Sequence, residues 1–293
     1  MDIDMQSVQL FITCLIDSFY PHTGEATTVG FTGPPGVGKS SIIARLIELY
    51  REENKKVGVV SVDPSSPFTK GAILGDRIRL GDHFLDKDVF IRSMGTRGHL
   101  GGLAGASQLA GLAMEAYGMD VVLYETVGVG QGEVEVASAA DTVVLALQPG
   151  AGDSVQALKA GVMEIADIIC INKADHPQAK GAASEVRSIL EIGHELDPGA
   201  PTPPIVMTRG DNGEGVEELK EKIEEHRVFL QESGRMKERH LASIREFILS
   251  WATNKMEKEM QQRLDKEDAE LMERVRKREL DPISAAEDLY EEV

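Results

Sequence analysis

The run Thr28-Val29-Gly30-Phe31-Thr32, followed at once by Gly33-Pro34-Pro35-Gly36-Val37-Gly38-Lys39-Ser40, decides how the rest of the chain is read. Its first five residues are largely β-branched or aromatic and predict a buried strand. The next eight match the phosphate-loop pattern of a glycine, four residues and then Gly-Lys-Ser, and a helical pattern opens at Lys39. The glycines let backbone N–H groups turn inward around phosphate oxygens. Lys39 brings a point charge to the β and γ oxygens of a nucleotide, and the Ser40 hydroxyl suits magnesium. Gly36, Val37, Gly38, Lys39, Ser40 and Ser41 are the expected phosphate contacts.

Outward from this loop, short apolar runs alternate with helical stretches. Strands are expected at Thr28 to Thr32, Val57 to Val62, Val89 to Arg92, Val121 to Glu125, Thr142 to Leu147, Ile168 to Ile171 and Ile205 to Thr208. Helical patterns intervene at Lys39 to Glu53, Leu103 to Tyr117, Ser154 to Ile165, Ala179 to Glu195 and Val216 to Gln231. Strands that read as continuous apolar runs are covered on both faces, so this alternation predicts an α/β fold. The expected architecture is a P-loop NTPase with a mostly parallel central sheet flanked by helices, a short N-terminal helix and a helical C-terminal arm. The expected division is a helical extension over 1–24, a nucleotide-binding domain over 25–231, and a helical arm over 232–293. The extension carries one amphipathic helix, about Met5 to Ser18, ended by Tyr20-Pro21. The arm carries Leu241, Ile244, Phe247, Ile248 and Trp251 at helical spacing, a stripe that docks either on another subunit or on the chain's own sheet.

Three further segments carry chemistry. Asn172-Lys173-Ala174-Asp175 follows the apolar run Ile168 to Ile171, at a strand's carboxyl end. A carboxylate there accepts from both N1–H and N2–H₂ of guanine, an arrangement that adenine lacks, and the Lys173 stem can lie along the base. Asp63 and Glu125 each end a strand, and in an open α/β sheet that edge faces the ligand. Both acids, with Asp76, suit the surroundings of a hard cation; the alternative is that each caps the next turn. Gly128 to Glu133 and Gly95 to Gly105 are glycine-rich, the first able to change shape with the γ-phosphate. Gln131 either orients water or caps a helix, and Arg97 and His99 face nucleotide, partner or neither.

Composition narrows the partners. The 293 residues hold 49 acidic and 31 basic side chains, a formal net charge of -18, and 42% are hydrophobic. A full core is affordable, while nucleic acid and anionic membranes, which need positive charge, are not expected partners. No apolar run reaches the roughly 18 residues of a membrane span, and a cytoplasmic protein is expected. Cys14 and Cys170 lie far apart in apolar segments and read as buried thiols. No His-rich or Cys-x-x-Cys tract for metal delivery occurs.

Glu125-Thr126-Val127-Gly128-Val129-Gly130-Gln131, taken with Asp63-Pro64-Ser65-Ser66, Arg97-Gly98-His99-Leu100-Gly101-Gly102 and Pro149-Gly150-Ala151-Gly152-Asp153, resembles one family in particular. These are the GTPase chaperones of adenosylcobalamin-dependent acyl-CoA mutases, formerly called arginine/ornithine transport kinases. The resemblance runs from about Thr27 to Gln231 and weakly into the tail. It implies a dimeric, magnesium-dependent GTPase that gates cobalamin loading into its mutase and protects or reactivates the loaded enzyme, with the adenosyltransferase that supplies the cofactor as a further partner. It implies that Lys39, Asp63 and Glu125 serve catalysis. Ser40, Asp63, Asp76 and Glu125 would form the metal side, while Asn172, Lys173, Asp175 and Thr208 would hold the base. The loop from Gln148 to Lys159 would carry nucleotide state to the mutase. Three departures stand out: a shorter N-terminal extension, Gly132 where many members have serine, and Thr208-Arg209-Gly210 where Thr-Ser-Ala is usual. The alternatives are a nickel-type metallochaperone GTPase, which lacks its metal tract here, and a metabolic kinase, which the guanine loop disfavours.

Overall fold

A computed structural model describes residues 16–63, 80–83, 85–95, 100–126, 139–150, 162–196, 201–266 and 269–291. Within them the strands are β1 Thr27–Thr32, β2 Val57–Asp63, β3 Val89–Gly95, β4 Val121–Glu125, β5 Thr142–Leu147, β6 Ile168–Ile171 and β7 Ile205–Met207. The helices are α1 Lys39–Glu52, α2 Leu100–Ala116, α3 Ala179–Leu196, α4 Val216–Glu232, α5 Arg235–Lys266, α6 Ala269–Arg276 and α7 Pro282–Glu291. The strands form one sheet in the order β3-β2-β4-β1-β5-β6-β7. Every pairing is parallel, so the sheet is wholly rather than mostly parallel.

Each apolar run becomes a strand because both of its faces find cover. All residues of β1, β4, β5 and β6 are buried. On one face Ile42, Ile43, Leu46 and Ile47 of α1 and Leu219 and Ile223 of α4 pack with Val29, Phe31, Val57 and Leu123. Met114 of α2 packs with Val60, Val122 and Tyr124, and Ala183 and Val186 of α3 with Leu145, Ile169 and Ile171. The expected elements stand with small shifts: β3 continues to Gly95, and α2 begins at Leu100 rather than Leu103. Of the helix expected from Ser154 to Ile165, the described part is a 3-10 turn at Val162–Glu164. Most of the helix expected from Met5 to Ser18 lies outside the described residues, as does Cys14.

The order of strands places the site. From β1 the chain moves outward to β2 and β3, returns to β4 beside β1, and then crosses to β5 on the other side of β1. The two halves of the sheet part at β1, and in open parallel sheets the crevice above such a point receives ligands. The phosphate loop leaves β1 there.

By its contacts the chain divides into two compact units, Met1–Ile244 and Arg245–Val293. In the first unit the opening turns of α5 are fastened to the sheet edge opposite the phosphate loop. Arg239 donates through both terminal nitrogens to the Asp167 carboxylate, each at 2.8 Å, the bidentate geometry that suits a guanidinium. His240 Nε2 lies 2.8 Å from Asp141 Oδ1, and Thr28 Oγ1 donates to Asp141 Oδ2 at 2.8 Å. Leu241 and Ile244, of the expected apolar stripe, are exposed. In the second unit the rings of Phe247 and Trp251 stack with centroids 5.9 Å apart. There Arg274 pairs with Asp288 at 3.9 Å, and Asp281 Oδ1 accepts from the Ile283 and Ser284 N–H groups at the start of α7.

The hydrogen bond from His240 to Asp141 raises the imidazole's pKa, helped by the charges of Asp141 and Glu115 and opposed by burial. A raised folded value means that the pair's contribution is complete below the ordinary histidine pKa and is lost as pH climbs through the raised one. Replacing His240 by glutamine should therefore cost about 0.5 kcal/mol at pH 5.5, a modest figure because the ring is over a third exposed. Urea unfolding of parent and variant should show this gap closing by pH 9.

Candidate nucleotide site

The phosphate loop is shaped by residues that have no side chain. Gly33, Gly36 and Gly38 all adopt positive φ, at 138°, 80° and 99°. A Cβ on Gly33 would stand 2.1 Å from the Ala146 carbonyl oxygen, and one on Gly38 would stand 2.3 Å from Asn172 Nδ2. Both contacts are closer than any side chain tolerates, so the loop passes against the ends of β5 and β6 only as glycine. Gly38 then opens α1 in the left-handed conformation with no side-chain cap. An uncapped helix start of this kind directs N–H groups and the positive end of the helix dipole at whatever lies above it.

Lys39 and Ser40 are both buried at this helix start. The Lys39 ammonium donates to the carbonyl oxygens of Gly33 at 2.6 Å and Pro34 at 3.0 Å, which holds it inside the loop's curve. Ser40 Oγ donates to Glu125 Oε1 in a short hydrogen bond. Glu125 ends β4 opposite Phe31 on one side and Ser61 on the other. That register brings Ser61 Oγ to 3.4 Å from Glu125 Oε2. A hydroxyl and a carboxylate so joined are the hard oxygen donors that a magnesium ion takes, so this part of the site fits one. Asp63 closes β2 beside Gly95, whereas Asp76 lies outside the described residues. Among the described residues no group of three or more His, Cys, Asp or Glu is gathered as for a metal.

The second half of the site comes from the ends of β6 and β7. Asn172 is buried, and its amide joins three segments. Nδ2 donates to the Val37 carbonyl at 2.7 Å, while Oδ1 accepts from Thr208 Oγ1 at 3.2 Å and from the Gly210 N–H at 3.0 Å. Thr208 spends its one hydroxyl proton on Asn172, so the Cys170 thiol at 3.1 Å is the donor to Thr208. Burial pushes that thiol up to about 12, which makes Cys170 an inert core residue, as expected of it. Lys173 holds a left-handed backbone at φ 57°, uncommon for a residue with a side chain. Its ammonium donates to the Gly36 carbonyl at 3.1 Å and to Gln148 Oε1 in a short hydrogen bond, so the lysine stem lies across the phosphate loop. Asp175 is more than half exposed, and its Oδ1 lies 3.4 Å from Arg209 Nε.

The structure thus brings together Gly36, Val37, Gly38, Lys39, Ser40, Glu125, Asn172, Lys173 and Thr208, with Asp175 at the rim beside Arg209. Ser41 is exposed on the first turn of α1 and borders Gly210 of the loop after β7. Sequence reasoning missed Ser61, a polar residue inside an apolar strand for which only strand register supplies a signal, and it named Gln148 only as the start of a loop. It noted Arg209 only as a departure from a motif. Arg97, His99, Gln131, Asp153 and Lys159 lie outside the described residues, as does the Gln148 to Lys159 loop beyond Gly150.

A loop that seats a lysine and a serine at a bare helix start, with a buried acid on the neighbouring strand, is built for a polyphosphate tail, and the molecule is a P-loop nucleoside triphosphatase. Comparison with known proteins narrows that class. Residues 5–266 match the family described as methylmalonyl-CoA mutase-associated GTPase MeaB, and the chain belongs to that family. A Pyrococcus horikoshii protein named as a GTPase is 47% identical over 280 residues, 95% of this chain and 88% of its own length. The GTPase ArgK of Escherichia coli is 38% identical over 234 residues, 78% of this chain and 70% of that protein. The crystal structure of an LAO/AO transport system kinase superposes with a TM-score of 0.64 at 26% identity, covering 97% of this chain and 86% of that one. The chain is accordingly a GTP hydrolase that binds GTP and GDP. Among the described residues no helix is long and apolar enough to cross a membrane.

Removing the Asn172 amide should loosen the whole site. Asn172→Ala strands the Val37 carbonyl, the Gly210 N–H and the Thr208 hydroxyl away from water, and should cost about 2–4 kcal/mol in urea unfolding. A cost below about 1 kcal/mol would show that water or rearrangement replaces the joint.

Proposed function

We propose that this chain is a magnesium-dependent GTPase chaperone of a cobalamin-dependent acyl-CoA mutase, gating the loading of its cofactor and protecting or reactivating the loaded enzyme. The observation that carries the reading is the tie between phosphate loop and base loops through Asn172, within a family whose description names association with methylmalonyl-CoA mutase. In this reading the N–H groups from Gly36 to Ser41 cradle the phosphates, and Lys39 offsets charge that develops on the β and γ oxygens. Ser40 and Glu125, with Asp63 and Asp76, would hold the magnesium, which when bound would add positive charge at those same oxygens. Asp175 would accept from N1–H and N2–H₂ of guanine, with Lys173 along the base and Asn172 and Thr208 holding the loop that carries them.

The reading extends to assembly. A homodimer forms through the stripe on α5, whose Leu241, Ile244 and Ile248 stand exposed. The loop from Gln148 to Lys159 couples nucleotide state to the mutase, and the adenosyltransferase is a second partner. The protein works in the cytoplasm, and neither nucleic acid nor membrane is its target.

Three measurements test this. Asp175→Asn should weaken GTP binding by about 2–4 kcal/mol in calorimetry while improving binding of xanthosine nucleotides, because a donor replaces a charged acceptor. Lys39→Ala should lower turnover by roughly 10²–10³. Adding a cobalamin-dependent acyl-CoA mutase should accelerate GTP hydrolysis by the parent, and Asp153→Ala should lose that acceleration while keeping its intrinsic rate. If no mutase of the class changes the rate or co-purifies in either nucleotide state, the chaperone assignment is wrong.

A further inference from the structure

Arg209 stands two residues beyond Met207, the end of β7, and lies among carboxylates. Its Nε is 3.4 Å from Asp175 Oδ1, its Nη2 3.3 Å from Asp211 Oδ2 and its Nη1 3.6 Å from Glu214 Oε2. The last two acids engage the two terminal nitrogens and leave Nε to Asp175. The backbone beneath it is equally constrained. The Arg209 N–H donates to the Glu214 carbonyl at 2.8 Å, closing an isolated antiparallel bridge, and its carbonyl accepts from the Gly213 N–H at 2.8 Å. Arg45 of α1 donates to the Asp211 carbonyl at 3.0 Å, and a Cβ on Gly210 would stand 3.1 Å from both Ser41 Cβ and the Ile42 nitrogen. The loop that bears Arg209 therefore rests on the helix that follows the phosphate loop.

Asp175 differs in every respect. It sits in a turn, is 57% exposed at its side chain, and among the described residues the ion pair with Arg209 is the contact its carboxylate makes. An exposed carboxylate on a turn samples several rotamers, whereas bidentate acceptance from two parallel N–H groups needs one. The Arg209 Nε–H is screened from water, lies 3.4 Å from that carboxylate, and among the described residues has no hydrogen bond of proper geometry. A turn of the Asp175 carboxylate into line with that N–H would convert this ion pair into a charge-assisted hydrogen bond. Each carboxylate oxygen has two lone pairs, so Oδ1 can take Arg209 while both oxygens still face a base.

We propose that Arg209 is a positioning residue for base selection: anchored by Asp211 and Glu214, it orients the Asp175 carboxylate toward the paired N–H groups of guanine. The inference rests on Asp175 reading the base. Arg209 itself contacts the carboxylate and not the reacting phosphates, so it governs selectivity and leaves the chemical step alone. Lysine at this position supplies charge without the planar fork, and glutamine supplies a planar N–H without charge.

The test is binding of GDP and IDP, which differ only in the base's N2 amine, to the full chain and to Arg209→Lys, Arg209→Gln, Asp175→Asn and the Asp175→Asn/Arg209→Gln pair. The preference for GDP over IDP should fall by about 5–20-fold in Arg209→Gln and by a similar factor in Arg209→Lys, the range expected when a charged, oriented contact is lost. In the Asp175→Asn background the added Arg209→Gln change should move neither constant by more than about twofold, as two residues acting through one contact require. If Asp175→Asn collapses the preference while both Arg209 variants retain it, the positioning role is overturned and base reading by Asp175 survives. Retention of the preference by Arg209→Lys alone overturns orientation in favour of charge. If Asp175→Asn keeps the preference, the base reading fails and the inference falls with it.

Discussion

A single buried amide holds the two halves of the site together. Asn172 follows the end of β6, yet its side chain reaches the phosphate loop through Val37 and the loop after β7 through Thr208 and Gly210. In a parallel sheet each loop above the strand ends is otherwise independent of its neighbours, since the backbone ladder stops where the loops begin. The amide supplies a donor at one end and an acceptor at the other, and no other short side chain offers both in one plane. It also explains the lack of a side chain at position 38, where a methyl group would occupy the space of the amide nitrogen. Lys173 reinforces the same seam from outside, crossing to Gly36 and Gln148 from a left-handed backbone.

The acidic surface and the anionic ligand are reconciled locally. A net charge of -18 repels polyphosphate at long range. Close to the loop the balance reverses, because the donors there are an uncapped helix start and a buried ammonium among carbonyl oxygens. Fixed dipoles in a water-poor cleft act more strongly than distant surface charge, which salt screens within about 8–10 Å.

Much of this was legible in the sequence. The apolar runs at Val121 to Glu125, Thr142 to Leu147 and Ile168 to Ile171 became strands with those very limits, because strands buried on both faces leave an unbroken apolar signal. The phosphate loop was legible because its glycines and lysine are contiguous. What escaped depends on pairing between distant segments. Ser61 meets Glu125 only through the register of β2 on β4, and Arg209 meets Asp175 only because β7 lies beside β6. The fastening of α5 by Asp141 and Asp167 was equally hidden, since each acid reads locally as an ordinary residue before a strand. The apolar stripe on α5 was visible, whereas the exposure of its Leu241, Ile244 and Ile248 is a property of the folded chain.

The bare backbone at the top of the sheet has a consequence for redesign. Gly33 rests on the Ala146 carbonyl and Gly215 on the Met207 carbonyl, each with a hypothetical Cβ at 2.1 Å. The frame of the site is thus main chain laid on main chain, with no room to repack a larger residue. Laboratory evolution toward a different nucleotide would find these glycines closed to it, although they carry no functional group. Under the proposed reading of the base, the variable part of the recognition surface is the rim, where Asp175, Arg209, Asp211 and Glu214 project from that main-chain frame. New base preferences in this chain would accordingly be written in side chains at the rim, over a floor that stays the same.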